Sequence, residues 1–166
     1  MCGISGQYSL NNQEINQLKN KLIMMSKILH HRGPDGNGIW LSERKNIGFM
    51  HRRLSIIDIS ENGSQPMKSI DNNVITFNGE IYNYLELKST LSNHWEFKSK
   101  SDTEVILAAY SYYGFDCLNH LRGMFSFALY DYEKDLLFCA RDRFGIKPFY
   151  YSNKNKEFIF ASEPKA

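Results

Sequence analysis

The stretch that most limits the fold runs from Met124 to Asp142. Two apolar segments, MFSFALYD (124–131) and LLFCARD (136–142), are joined by the polar turn Tyr132-Glu133-Lys134-Asp135. Neither alternates cleanly between polar and apolar residues, so both strands of this hairpin need cover on both faces. A lone sheet with one wet face cannot provide that. Two sheets stacked between layers of helix can.

The rest of the chain supplies those pieces. GISGQYS (3–9) reads as a strand, and the spacing of Ile15, Leu18, Leu22, Met25 and Leu29 predicts a helix over 13–29, capped by Asn11 or Asn12. GIWLS (38–42) and Ile47 to Met50 form a hairpin, and Val74 to Phe77 is a strand. Helices follow at Tyr84–Leu91, with Asn83 as cap, and from Ser101 to Tyr113, where Ser101 and Glu104 have capping-box spacing. Trp95 to Phe97 reads as a short strand, Phe115 to Arg122 as a helix ended by Gly123, and FYYS with EFIFAS as a last hairpin. Gln65, before Pro66, is expected to be extended. The sum is α+β: about four helices and eight to ten strands, mostly antiparallel, in one domain over 1–166.

Composition narrows the function classes. The net charge of +2 arises from 20 basic and 18 acidic residues in mixed order, which offers no block for nucleic acid or an anionic membrane. Cys2, Cys117 and Cys139 are too few and too far apart for a disulfide framework or a paired metal site. No apolar run reaches the ~20 residues of a membrane span, and no signal peptide is expected, since the N-terminus lacks a basic segment followed by an apolar one. A reducing, cytoplasmic setting is expected.

Within that frame Cys2 has two readings. It is a small buried hydrophobe near a chain end, the commoner case. Or, once Met1 is removed, it is an N-terminal residue whose α-amine can accept the thiol proton, a nucleophile with its own base. A thiolate attacking a carbonyl needs donors for the oxygen that becomes negative. Asn78 and Gly79 could serve, by side-chain amide and backbone N–H; they could equally be a type I′ hairpin turn, although the helical pattern after them argues against a returning strand. Arg52 and Arg53 read as surface charge or as a carboxylate grip. Asp102, at a helix start, either stabilises the helix dipole or takes an ammonium. His30, His31 and His51 lack zinc spacing and read as structural.

Taken together, MCGI, HRGPDG (31–36), HRRLSIID (51–58), NGEIYN (78–83), SDTEVIL (101–107), RGMFSFALYD (122–131) and RDRFGIKPFYY (141–151) resemble, in one order along the whole chain, the glutamine-hydrolysing domain of asparagine synthetases. These belong to the class II glutamine amidotransferases. The resemblance implies the N-terminal-nucleophile hydrolase fold, a four-layer αββα sandwich with two mostly antiparallel sheets. It implies Cys2 as the nucleophile on the side-chain amide of L-glutamine, with Asn78 and Gly79 as oxyanion donors. Arg53 would hold the α-carboxylate, Leu54, Ser55, Ile56 and Ile57 would line the pocket, and Glu80 and Asp102 would hold the α-ammonium. No metal or cofactor is expected for this step. ATP and magnesium would belong to a C-terminal synthetase domain that makes asparagine from aspartate and is absent from 1–166. Apolar surface left uncovered by that domain keeps a homodimer open. Two alternatives stand beside this reading: another acceptor, such as a sugar or peptide carboxylate, and a non-catalytic glutamine-binding module.

Overall fold

The computed structural model describes residues 1–54 and 61–166. Nine strands and four α-helices are present among the described residues. Five strands form one antiparallel sheet: β1 (Gly3–Ser9), β2 (Gly36–Leu41), β3 (Ile47–Arg53), β8 (Tyr150–Lys154) and β9 (Glu157–Ala161), in the order β2-β3-β1-β9-β8. The second sheet has the order β4-β5-β6-β7, from β4 (Met67–Lys68), β5 (Val74–Ile81), β6 (Gly123–Asp131) and β7 (Leu136–Arg141).

Three clusters of buried side chains divide the molecule into four layers. Helix α1 (Leu18–Ile28) packs Leu18 and Leu22 against Met50 on the outer face of the first sheet. Between the sheets lie Ile4, Phe49, Val74, Ala128 and Phe160. The outer face of the second sheet presents Ile75, Phe77, Phe125, Phe127 and Leu129 to α2 (Tyr84–Leu91), α3 (Asp102–Tyr113) and α4 (Cys117–His120). Alternate residues of β6 therefore enter different cores, Phe127 outward and Ala128 inward, which is why its sequence reads as one apolar run.

Several local expectations differ. Helix α1 starts at Leu18, because Asn12 and Gln17 have positive φ (61° and 55°) and Ile15 N–H is tied to Lys45 O. Asn83 is the N-cap residue of α2, but its side chain makes no capping bond. Its side chain instead bridges to the His120 carbonyl and the Arg122 amide, joining the start of α2 to the α4–β6 connection. Trp95 to Phe97 form no strand; this segment is anchored on Glu104, which accepts from Trp95 Nε1, Lys98 N and Ser99 N. Glu104 is thereby drawn away from the capping box, while Ser101 Oγ caps the helix through Thr103 N. The predicted helix 115–122 is a 3₁₀ turn, Gly114–Asp116, followed by the four residues of α4. Asn78 and Gly79 lie inside β5, not at a turn.

Candidate active site

The site forms where the open edge of β5 faces the start of β1. β4 pairs with β5 only at Val74 and Ile75. Past that point the donors on this edge recur at every second residue, at Phe77, Gly79 and Ile81. Side chains take two of them: Phe77 N–H is accepted by Gln65 Oε1 at 2.7 Å and Ile81 N–H by Asp102 Oδ2 at 3.0 Å. Gly79 N–H, between them, has no acceptor among the described residues. Its neighbour Asn78 is 1% exposed, and its Nδ2 has no partner either. Two uncommitted donors thus sit on consecutive residues, a costly arrangement unless something fills it.

Cys2 immediately precedes β1, whose register with β3 pairs Gly3 with Arg52 and brings the thiol to the end of β3. Leu54 N–H donates to the sulfur at 3.4 Å, and the thiol donates to Leu54 O at 3.7 Å. Arg32 Nε holds the Cys2 carbonyl at 3.0 Å. Burial pushes the Cys2 thiol up. The Leu54 N–H, the N-terminal ammonium and Arg53 pull it back, and Asp102 pushes it further up.

A cleft of about 250 Å³ connects these groups, well above the ~30 Å³ share of one water and below most drug-sized sites. It is lined by Cys2, Arg53, Leu54, Asn78, Gly79, Glu80 and Asp102. Seven of the ten residues singled out in the sequence therefore meet in one place. The other three, Ser55, Ile56 and Ile57, lie outside the described residues. Behind Arg53, the HRGPDG loop packs so closely that a Cβ on Gly33 would lie 2.5 Å from the Arg52 carbonyl carbon, which explains the glycine. Asp102 is 4% exposed and has no ion-pair partner among the described residues. Burial pushes its carboxyl up to about 6, against the pull of the Ile81 and Thr103 amides and with a further push from Glu80.

Among the lining residues without a site role in the sequence reading are Gln65 and Lys147. Gln65 caps the β5 edge and reaches Thr103 Oγ1 at 3.1 Å, a backbone-satisfying role with no local signature. Lys147, only 6% exposed, lies within RDRFGIKPFYY (141–151), but nothing in its spacing marks it as buried. Among the described residues no group of three or more His, Cys, Asp or Glu side chains is placed to hold a metal ion, and no helix is long and apolar enough to cross a membrane.

Comparison with known proteins agrees with this geometry. The family model described as a glutamine amidotransferase domain matches residues 1–166. The chain is 41% identical over 170 residues to asparagine synthetase [glutamine-hydrolyzing] 3 of Bacillus subtilis, covering all of this chain and 27% of that protein. It is 40% identical over 168 residues to asparagine synthetase B [glutamine-hydrolyzing] of Escherichia coli, covering all of this chain and 30% of that protein. It is 37% identical over 175 residues to amidase chry2 of Gibberella zeae, again over the whole chain and 26% of the relative. The chain thus spans less than a third of the length of each. In fold it is similar to the glutamine phosphoribosylpyrophosphate amidotransferase of B. subtilis, solved with ADP and GMP. The TM-score is 0.78 at 21% identity, over 98% of this chain and 42% of that one. On sequence, fold and the meeting of Cys2 with the Asn78–Gly79 edge, the chain belongs to the glutamine amidotransferase domain family.

Proposed function

We propose that the domain hydrolyses the side-chain amide of L-glutamine and passes the ammonia to a synthetase domain. The observation that carries the reading is that Cys2 shares a cleft with two donors that have no acceptor among the described residues, Gly79 N–H and Asn78 Nδ2, and with groups of both signs, Arg53 and Asp102. After removal of Met1, the Cys2 α-amine takes the thiol proton and the sulfur attacks the amide carbon. The carbonyl oxygen becomes negative and is met by the two donors. The tetrahedral adduct collapses, the C–N bond breaks, and the proton held by the amine leaves with the nitrogen as ammonia. Water then attacks the γ-glutamyl thioester, restoring the thiol and giving glutamate. Arg53 pairs with the substrate α-carboxylate and Asp102, with Glu80, with its ammonium; Leu54 lines the same pocket.

This half-reaction takes no cofactor from the domain. In this reading asparagine is the product, in line with the names of the bacterial relatives, and ATP, magnesium and the acceptor aspartate are assigned to the synthetase domain. The amidase name of the fungal relative favours a second reading in which the acceptor is another carboxylate. The exposed Phe144, Ile146 and Tyr151 supply apolar surface for the synthetase domain or for a homodimer. The three cysteines are free, in keeping with the cytoplasm.

The test is release of glutamate and ammonia from glutamine by protein whose N-terminus is Cys2 by intact mass. Cys2→Ala is expected to lower turnover by at least about 10³-fold with the thermal midpoint unchanged. Turnover that survives this substitution refutes the mechanism.

A further inference from the structure

His51 lies on β3, two residues before Arg53, and is fully buried between the sheets. Its Nδ1 is 3.3 Å from Thr76 Oγ1. The Thr76 hydroxyl has one hydrogen, which it donates to Met50 O at 3.4 Å. In that arrangement Thr76 Oγ1 accepts from the imidazole and Nδ1 carries the ring proton. Burial, with Arg53 nearby, pushes the His51 pKa down to about 3, so the ring is neutral at ordinary pH. In a neutral ring protonated at Nδ1, Nε2 is a bare acceptor. That Nε2 is buried and has no partner among the described residues.

A matching donor lies on β5, the strand that carries Thr76. Asn78 is two residues along β5 from Thr76, on the same face of the strand, at a spacing of ~7 Å. Asn78 Nδ2 is buried, carries two hydrogens and has no partner among the described residues. One atom can only accept and the other only donate. A single water that accepts from Asn78 Nδ2 and donates to His51 Nε2 would satisfy both.

We propose that His51 is a positioning residue for the oxyanion donor: through one ordered water its Nε2 engages one Asn78 hydrogen and leaves the other directed at the reacting carbonyl. The inference rests on the glutaminase reading for its catalytic consequence but not for its geometry. An asparagine amide turned end for end would present an oxygen to the developing negative charge, and an acceptor fixed beneath it prevents that turn.

His51→Phe keeps a ring and removes the acceptor, whereas His51→Gln can offer an amide oxygen. The expected result is a fall in kcat of about tenfold or more for His51→Phe, with KM for glutamine unchanged and partial recovery in His51→Gln. In the unsubstituted protein, ¹⁵N NMR should show His51 as the neutral Nδ1–H tautomer at pH 7, and a high-resolution crystal structure should show a water in hydrogen-bond contact with both His51 Nε2 and Asn78 Nδ2. A protonated Nε2, no shared water, or an unaltered kcat in a folded His51→Phe protein overturns the proposal. If His51→Phe does not fold, the tautomer and the water decide. If the unsubstituted protein leaves glutamine intact, the glutaminase reading fails by itself, and the same two measurements still decide the His51–Asn78 link.

Discussion

Asp102 is a carboxyl that the fold buries and does not neutralise. Its pKa stands at about 6 in the folded protein against an ordinary value near 3.8, so folding favours the protonated form. The stability this group contributes is present below pH ~4 and is lost as pH rises through 6, by about 3 kcal/mol at neutral pH. Asp102→Asn should therefore raise the thermal midpoint at pH 7, leave it nearly unchanged at pH 4, and raise KM for glutamine at least tenfold. Melts at the two pH values and one kinetic series check this. In the unsubstituted protein KM should climb as pH drops below 6, because only the ionised carboxylate can pair with an ammonium. At this scale the sequence was informative because residue type alone marks groups that meet in one cleft: a thiol at position 2, an arginine at 53, an acid at a helix start. It was silent on Gln65, whose duty is to satisfy a backbone amide 12 residues away in sequence, and an amide side chain has no pattern that announces such a duty.

The strand β5 shows why elements are harder to read than residues. Asn-Gly between apolar neighbours is the usual mark of a tight turn, yet here the pair continues a strand. The glycine is required by its cross-strand neighbour: a Cβ at position 79 would lie 2.3 Å from Met124 O and 2.7 Å from Phe125 Cα. Both are backbone atoms that cannot rotate away. Gly79→Ala should cost about 1–3 kcal/mol and lower the thermal midpoint by several degrees, as measured by calorimetry. Long apolar runs such as β6 were legible because both faces meet a core. The segment Trp95 to Phe97 was not, since its β-prone composition is overruled by hydrogen bonds to Glu104. The first turns of the expected helix at 13–17 were lost in the same way, to tertiary bonds with the β2–β3 turn.

Across the whole molecule the layered arrangement was visible in advance, because strands needing cover on two faces admit few alternatives. What the sequence did not reveal is how the last residues fasten to the first. Ile4 N–H is accepted by Ser162 Oγ at 3.0 Å, and Ser162 N–H by Ile4 O at 2.8 Å. Glu163 receives His31, Arg32 and Lys165. Burial pushes its carboxyl up, but these three partners outweigh it and bring it down to about 2. The stability it contributes is present above pH 4.5 and lost as pH falls toward 2. Glu163→Gln should flatten the acid side of the stability profile in that window and leave the neutral side lower, as followed by thermal melts.

Arg32 touches both ends of this arrangement, holding the Cys2 carbonyl with Nε and the Glu163 carboxylate with Nη1. One guanidinium is thus a rigid coupling between the backbone that carries the sulfur and the segment leaving the final strand. A tug on the polypeptide beyond residue 163 would be delivered to residue 2 through two bonds, without passing through either sheet.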